Sequence, residues 1–237
     1  MKKRILSILL LCCMVLIMLP TTVLAADGPM DTIPKYDVSI DVYNRTSDIS
    51  IKDSRSYYIY SSVPDKLRDT WAWDKKIFIK GDKTAPHVFI DGVNIEMSPS
   101  SKGPAIELNK KASAYIYFIG KNSSLQGADG RAAIQKNRSE GQLYVLARTG
   151  TTVTCKGGDK AAGIGGSYAT RNISNGYYNG DMYGHGVNMH FGSQSNPDYW
   201  GGTIAAIGGN GGAGIGGGQG GSGEKLYFYS GTLQAHG

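Results

Sequence analysis

The chain has 237 residues, which is enough for one ordinary domain or one long repeat array. Its formal net charge of +6 falls to +3 when the three N-terminal basic residues, Lys2, Lys3 and Arg4, are set aside. A charge balance this weak does not support binding to nucleic acid or to an anionic membrane, and we predict neither as a partner.

The N-terminus has the pattern of a secretory signal peptide. The basic residues precede an apolar run, Ile5–Leu19, which Pro20 ends before Ala25 and Ala26. A membrane anchor needs about 20 apolar residues, so the run is too short for one. We therefore predict cleavage near Ala25 or Ala26, no membrane association afterwards, and a secreted, extracellular or cell-wall-associated protein.

Residues 26–75 are predicted to form an N-terminal β segment or cap. Its aromatic group, Tyr57–Tyr60 with Trp71 and Trp73, is expected to close the N-terminal end of the fold. From residue 76 onward, short segments rich in Tyr, Ile, Val and Phe favour strands. These segments are Lys76–Lys80, His87–Ile95, Tyr115–Ile119, Gln142–Ala147 and Leu226–Tyr229.

The second half of the chain contains an internal repeat. Glycine is concentrated there, with 26 of the 34 glycines between residues 150 and 237. The segments Gly157–Gly166 and Gly208–Gly217 align without a gap, and each follows a Thr-apolar-x-Ala/Cys strand pattern that recurs at Thr232. Equivalent isoleucines at positions 106, 134, 164 and 215 give a unit of about 29 residues, with one longer step.

These repeats predict an all-β fold, a right-handed parallel β-helix over residues 76–237 with an aromatic-rich loop insertion at 167–200. Strand-only units of this length bury their apolar faces by stacking on one another. Ile106, Ile134, Ile164 and Ile215 are expected to form one interior column, and Val153, Ile204 and Leu233 another. Cys155, equivalent to Ala206 and Ala235 in the repeat, is expected to be a small core residue.

Several motifs resemble cofactor or metal sites without fitting them. The Gly209–Gly214 segment matches G-x-G-x-x-G, but the glycine run that follows cannot form the helix that a dinucleotide site requires. A repeated calcium site would need an acidic ligand where the chain has Ala213. We therefore predict no cofactor and no metal site in the repeats, and leave open an isolated calcium site. His185 and His190 are predicted to be solvated loop residues.

No catalytic residues are assigned. The 19 acidic residues are scattered, without the paired carboxylates of a glycosidase. A site assembled from several coils would escape this reasoning, so a polysaccharide lyase or glycosidase remains an alternative.

The aromatic insert is the main candidate for ligand binding. Tyr and Trp rings offer flat apolar faces and polar tips that suit sugars. We predict that Tyr177, Tyr178, Tyr199 and Trp200 contribute to such a surface. Alternatively, these rings only hold the long loop against the coil.

The Gly-rich blocks, Gly157–Gly166 and Gly208–Gly217, with earlier strands such as Val88–Ile95, resemble the tandem repeats of secreted or surface proteins of Gram-positive bacteria. These proteins form a carbohydrate-binding-domain-like β-helix family. The resemblance implies an adhesive or surface-interaction role, with extracellular polysaccharide or cell-surface glycan as the partner. A purely structural stalk is a further alternative. Because the repeat pattern breaks off at Gly237, we also expect the native product to continue beyond it.

Overall fold

Short parallel strands make up almost all the regular structure in the computed structural model, which describes residues 34–101, 103–109, 111–137, 140–168 and 184–237. The predicted signal peptide, residues 1–25, and the predicted site residues Tyr177 and Tyr178 lie outside the described residues. The strands belong to the unit Lys35–Gly237 and form three parallel sheets.

Each sheet is built from one short strand per coil. Sheet 1 contains seven strands: β1 (Val38–Asp41), β3 (Ser56–Tyr60), β5 (His87–Asp91), β8 (Ala114–Phe118), β11 (Leu143–Ala147), β14 (Gly186–Phe191) and β17 (Gly223–Phe228). Sheet 2 contains six: β2 (Ile49–Ile51), β4 (Ile77–Lys80), β7 (Ile106–Asn109), β10 (Ile134–Gln135), β13 (Ile164–Gly165) and β16 (Ile215–Gly216). Sheet 3 contains five: β6 (Asn94–Glu96), β9 (Ser123–Gln126), β12 (Thr152–Lys156), β15 (Thr203–Ile207) and β18 (Thr232–His236).

The order of these strands confirms the predicted parallel β-solenoid. From β5 onward the chain visits sheet 1, then sheet 3, then sheet 2, and returns to sheet 1 one coil later. Every strand pair between coils is parallel, so each strand hydrogen-bonds to its equivalent in the next coil.

Both predicted interior columns are confirmed. Ile106, Ile134, Ile164 and Ile215 pair in register through sheet 2, and the column continues upstream through Ile77 to Ile49. Val153, Ile204 and Leu233 pair in register through sheet 3. The column residues from Ile49 to Ile164 are at most 2% exposed. From Ile77 to Ile164, each is covered by a column neighbour on both sides.

Cys155 is a buried core residue, as predicted, and pairs in register with Leu125 and Ala206. Its burial raises the pKa of the thiol well above the ordinary range. The thiolate, which is the reactive form, is therefore suppressed.

The sheets begin at Val38, within the segment 26–75 that was predicted to be a separate β segment or cap. The prediction that Tyr57–Tyr60 closes the N-terminal end is wrong, because β1 pairs with β3 on its outer side. Trp73 is buried and forms a parallel bridge with Ile95, so it belongs to the side of sheet 3. No glycine block in this region marks the first coils.

The predicted insert at 167–200 is two connections rather than one loop. Strand β14 lies in its middle and pairs with β11 and β17 in sheet 1. One long connection precedes this strand, and another, residues 192–202, follows it. The predicted strand His87–Ile95 is likewise two strands, β5 and β6, separated by a turn at Gly92 with φ +60°.

The last coil is the least covered part of the described chain. Strands β16, β17 and β18 each lie at the edge of their sheet. Leu226 and Phe228 continue interior columns through Met189 and Phe191, yet they are 41% and 52% exposed.

Candidate functional site

The outer face of sheet 1 carries a ladder of aromatic rings. In each strand of the sheet, alternate residues point away from the core, and one outward position is aromatic in five successive coils. The ladder consists of His87, Tyr115, Tyr144, His190 and Tyr227. Consecutive rings stack with centroids 4.4–4.7 Å apart and planes within 17° of each other.

The spacing of the ladder follows from the fold. Neighbouring strands in a sheet lie about 4.7–4.9 Å apart, which matches the stacking distance of aromatic rings. Each stacked pair adds about 0.5–1.5 kcal/mol beyond its buried area. Since each ring covers the face of the next, the ladder presents ring edges to solvent rather than ring faces.

A second group of rings lies beside the ladder on the same face. Tyr58, Phe89 and Tyr117 occupy one register position in three successive coils. Tyr36 and Tyr60 stack on Tyr58 at 5.2 and 5.1 Å. The pKa of Tyr58 is raised, chiefly by burial and also by the hydrogen bond that its hydroxyl donates to Asp91, so the phenol stays neutral.

The two predicted site residues that the structure describes, Tyr199 and Trp200, lie on this face. Trp200 packs against Tyr117 with centroids 5.1 Å apart and planes tilted by 41°. Tyr199 meets Trp200 edge-on, at 4.7 Å and 89°. Both rings are half-buried. Unlike the ladder rings, they are not stacked in parallel with a neighbour.

Hydrogen bonds to backbone carbonyls hold the connection that carries these two rings. The Thr149 amide donates to the Tyr199 carbonyl at 2.9 Å, and the Ser230 hydroxyl donates to the Trp200 carbonyl at 2.9 Å. The Trp200 amide donates to the Asn196 carbonyl at 3.2 Å. The position of the rings therefore depends on the backbone of the loop as well as on their packing.

Two histidines are part of this face, which corrects the prediction that His190 is a solvated loop residue. His190 is 7% exposed, lies between Tyr144 and Tyr227, and shares a hydrogen bond of 2.9 Å with the Tyr229 hydroxyl through Nδ1. His87 has the same arrangement with Tyr117, also at 2.9 Å. The Nε2 atom of His190 is buried without a hydrogen-bond partner.

The two histidines predict a pH dependence of stability. Burial lowers the pKa of both rings below the ordinary value of 6.5. Below about pH 6.5 the unfolded chain therefore binds more protons than the folded chain. Their contribution to stability is present at neutral pH and is lost as the pH falls from about 6.5 towards their lowered pKa.

We expect residues 26–237 to melt at a lower temperature at pH 5 than at pH 7.5, with a smaller difference in His190→Phe. This variant keeps a ring in the ladder and removes its titration. His236→Gln, at an exposed histidine outside the ladder, is the control. A pH dependence that is the same in wild type and His190→Phe would contradict the assignment.

Tyr199 and Trp200 were predicted from the sequence as binding residues, and that stays a prediction, whereas the ladder was not predicted. The signal was present in His87, Tyr115 and Tyr144, which are 28 and 29 residues apart, in step with the isoleucine repeat. It is lost at His190 and Tyr227, because the two long connections shift those residues out of step.

Within the described ranges, no group of three or more His, Cys, Asp or Glu side chains is placed to bind a metal ion. None of the helices in that part of the chain is long and apolar enough to span a membrane. No protein-family model, curated protein or solved structure matches the chain.

Proposed function

We propose that the chain is a secreted or cell-surface β-solenoid that binds carbohydrate through the outer face of sheet 1, in an adhesive role and without catalysis. The observation that carries the proposal is a pair of rings, Tyr199 and Trp200, that are not stacked in parallel with a neighbour. Tyr199 and Trp200 are half-buried and tilted, beside the aromatic column that includes Tyr117. An aromatic ring of this kind offers an apolar surface to a sugar, and its polar tip can hydrogen-bond to hydroxyl groups.

The ladder suits a repeating ligand. Tyr115 and Tyr144, in adjacent coils, are half-buried, and their stacked rings are 4.4 Å apart. The hydroxyl groups at the edges of these rings can face the solvent. A linear polysaccharide that runs along the solenoid would meet equivalent groups at successive coils. Binding sites on solenoids are commonly extended in this way.

Two sequence features support the same proposal. The predicted signal peptide would take the chain outside the cell, where polysaccharides are the abundant polymers available to a surface protein. The resemblance to Gram-positive surface repeats implies the same location and partner.

A structural stalk is the second candidate, and the ladder itself favours it. The stacked rings bury each other's faces, and such stacking stabilises a solenoid without any ligand. A polysaccharide-cleaving enzyme is a third possibility, which the release of shorter products would identify.

Substitutions in the 192–202 connection separate binding from packing. We expect Trp200→Ala and Tyr199→Ala to weaken binding to a polysaccharide ligand by about tenfold each, which corresponds to about 1.4 kcal/mol. The melting temperature should change little by comparison, since hydrogen bonds to the backbone of the connection hold it in place. Affinity electrophoresis and thermal unfolding of the same samples provide the two readings.

Tyr168→Ala is the matched control, because Tyr168 is a half-buried tyrosine after β13, where Lys160 lies over its ring. It should leave binding unchanged. If the Trp200 and Tyr199 variants lose stability in step with affinity, the rings only pack the loop and the proposed binding surface is wrong.

A further inference from the structure

A second concave site lies on the outer face of sheet 3, away from the ladder. Its floor is formed by outward residues of β6 and β9, where Asn94 pairs with Ser124 and Glu96 pairs with Gln126. Its wall is the segment Asp69–Ala72, which includes Trp71. The groove is shallow and open to solvent, with a volume of about 130 Å³. This is below the roughly 300–1,000 Å³ of typical ligand pockets, so the groove can hold only one sugar residue of a longer ligand.

Hydrogen bonds hold the wall against the floor of the groove. The Asn94 side-chain amide donates to the Arg68 carbonyl at 3.0 Å, and the Arg68 guanidinium donates to the Gly92 carbonyl at 3.3 Å. Trp73 exchanges backbone hydrogen bonds with Asn94 and Glu96, at 2.8 and 3.0 Å. The site is therefore formed before any ligand arrives, which reduces the entropy cost of binding.

Three polar side chains of the groove are available to a ligand. Asp69, Glu96 and Gln126 make no side-chain hydrogen bond or ion pair within the described part of the chain, whereas Asn94 and Thr70 are engaged within the protein. Trp71 is half-buried, and its ring contacts Tyr43 edge-on at 5.4 Å. Arg68, which precedes the wall in sequence, is engaged by the Asp65 carboxylate at 3.3 Å. The exposed Lys156 pairs in register with Gln126 one coil further on, at the margin of the groove.

We propose that this groove binds an amine-bearing sugar, a residue with a free amino group rather than an acetylated one. A cation is attracted both to the face of a tryptophan and to nearby carboxylates, and the groove has Trp71 with Asp69 and Glu96. Gln126 and the Ser124 hydroxyl can hydrogen-bond to sugar hydroxyls. The same carboxylates repel uronic acids and other anionic sugars. This site lies apart from the sheet 1 face, and its ligand does not depend on that face.

The test compares glucosamine oligomers with their fully N-acetylated counterparts, titrated into residues 26–237 by calorimetry. We expect the free-amine oligomers to bind at least tenfold more tightly, with an affinity that falls as salt rises. Glu96→Gln removes one carboxylate at nearly constant shape and should weaken this binding about tenfold. Trp71→Phe, which preserves a ring in the wall, should weaken it less than Trp71→Ala.

Glu224→Gln, at an exposed carboxylate on β17 in sheet 1, is the matched control and should bind like wild type. Equal affinity for the acetylated and free-amine oligomers, or unchanged binding in Glu96→Gln, would overturn the proposal. The proposal would also be overturned if Trp200→Ala lost binding to the free-amine oligomers and Glu96→Gln did not. That result would be consistent with binding at the sheet 1 face.

Discussion

Replacing Gly158 by alanine is expected to destabilise the solenoid by at least about 3 kcal/mol, at the upper end of overpacking effects. Gly158 follows β12 at a corner where successive coils approach closely. A Cβ atom there would lie 1.9 Å from the Ala128 carbonyl oxygen of the preceding coil. Its repeat equivalent, Gly209, stands in the same relation to the Gly158 carbonyl, also at 1.9 Å. Since the obstruction is backbone, the coils themselves would have to separate.

The melting temperature and the midpoint of urea unfolding measure this effect. Gly103→Ala is the control, because a Cβ atom there would meet only the far ends of the Lys76 and Met97 side chains, at 3.3 and 3.4 Å. Its effect should be within about 1 kcal/mol, in the range of ordinary tolerated substitutions. If Gly158→Ala and Gly103→Ala unfold alike, the close approach of the corners is wrong.

Truncation of Ile164 to alanine is expected to cost about 2–5 kcal/mol. Ile164 is fully buried in sheet 2 between Ile134 and Ile215. Removing its side chain leaves a cavity in the middle of the column, because rigid coils on either side cannot collapse into it.

Ile207→Ala is the comparison within the same residue type. Ile207 lies at the end of β15, and it is 37% exposed. Its truncation should change the free energy of unfolding by less than about 1 kcal/mol, since surface substitutions are usually near-neutral. Similar losses in Ile164→Ala and Ile207→Ala would refute the assigned register.

The pairing register of the strands could be predicted from the sequence, because residues at one position of the repeat stack directly on each other. The regular spacing of Ile106, Ile134 and Ile164 therefore predicts which residues pair in the sheet. The same step continues upstream, at Ile77 and Ile49, 29 and 28 residues earlier. It was missed there because the glycine block that marks the later coils is absent from the first ones.

Strand β14 could not be predicted for a different reason. Its alternating pattern is interrupted at Asn188, which has φ +57°, a backbone conformation that breaks regular pleating. The long connections before and after β14 also change its distance in sequence from β11 and β17, so the regular spacing of the repeat is lost there. The aromatic ladder was missed with it, since His190 is the ring that joins Tyr144 to Tyr227.

The candidate groove on sheet 3 shows the limit of motif reasoning. Trp71 comes from an excursion before β4, whereas Glu96 and Gln126 come from two later coils. The repeat step relates Glu96 to Gln126, which are 30 residues apart and pair in register, but no spacing in the sequence relates Trp71 to either of them.

A glycan array probed with residues 26–237 would show whether the protein binds carbohydrate through sheet 1. We expect selective binding to a class of extracellular polysaccharide, with no release of shorter products and with loss of that signal in Trp200→Ala. An array with no selective signal would contradict carbohydrate binding and favour a structural stalk. Release of oligosaccharides from a bound polysaccharide would contradict the proposed absence of catalysis.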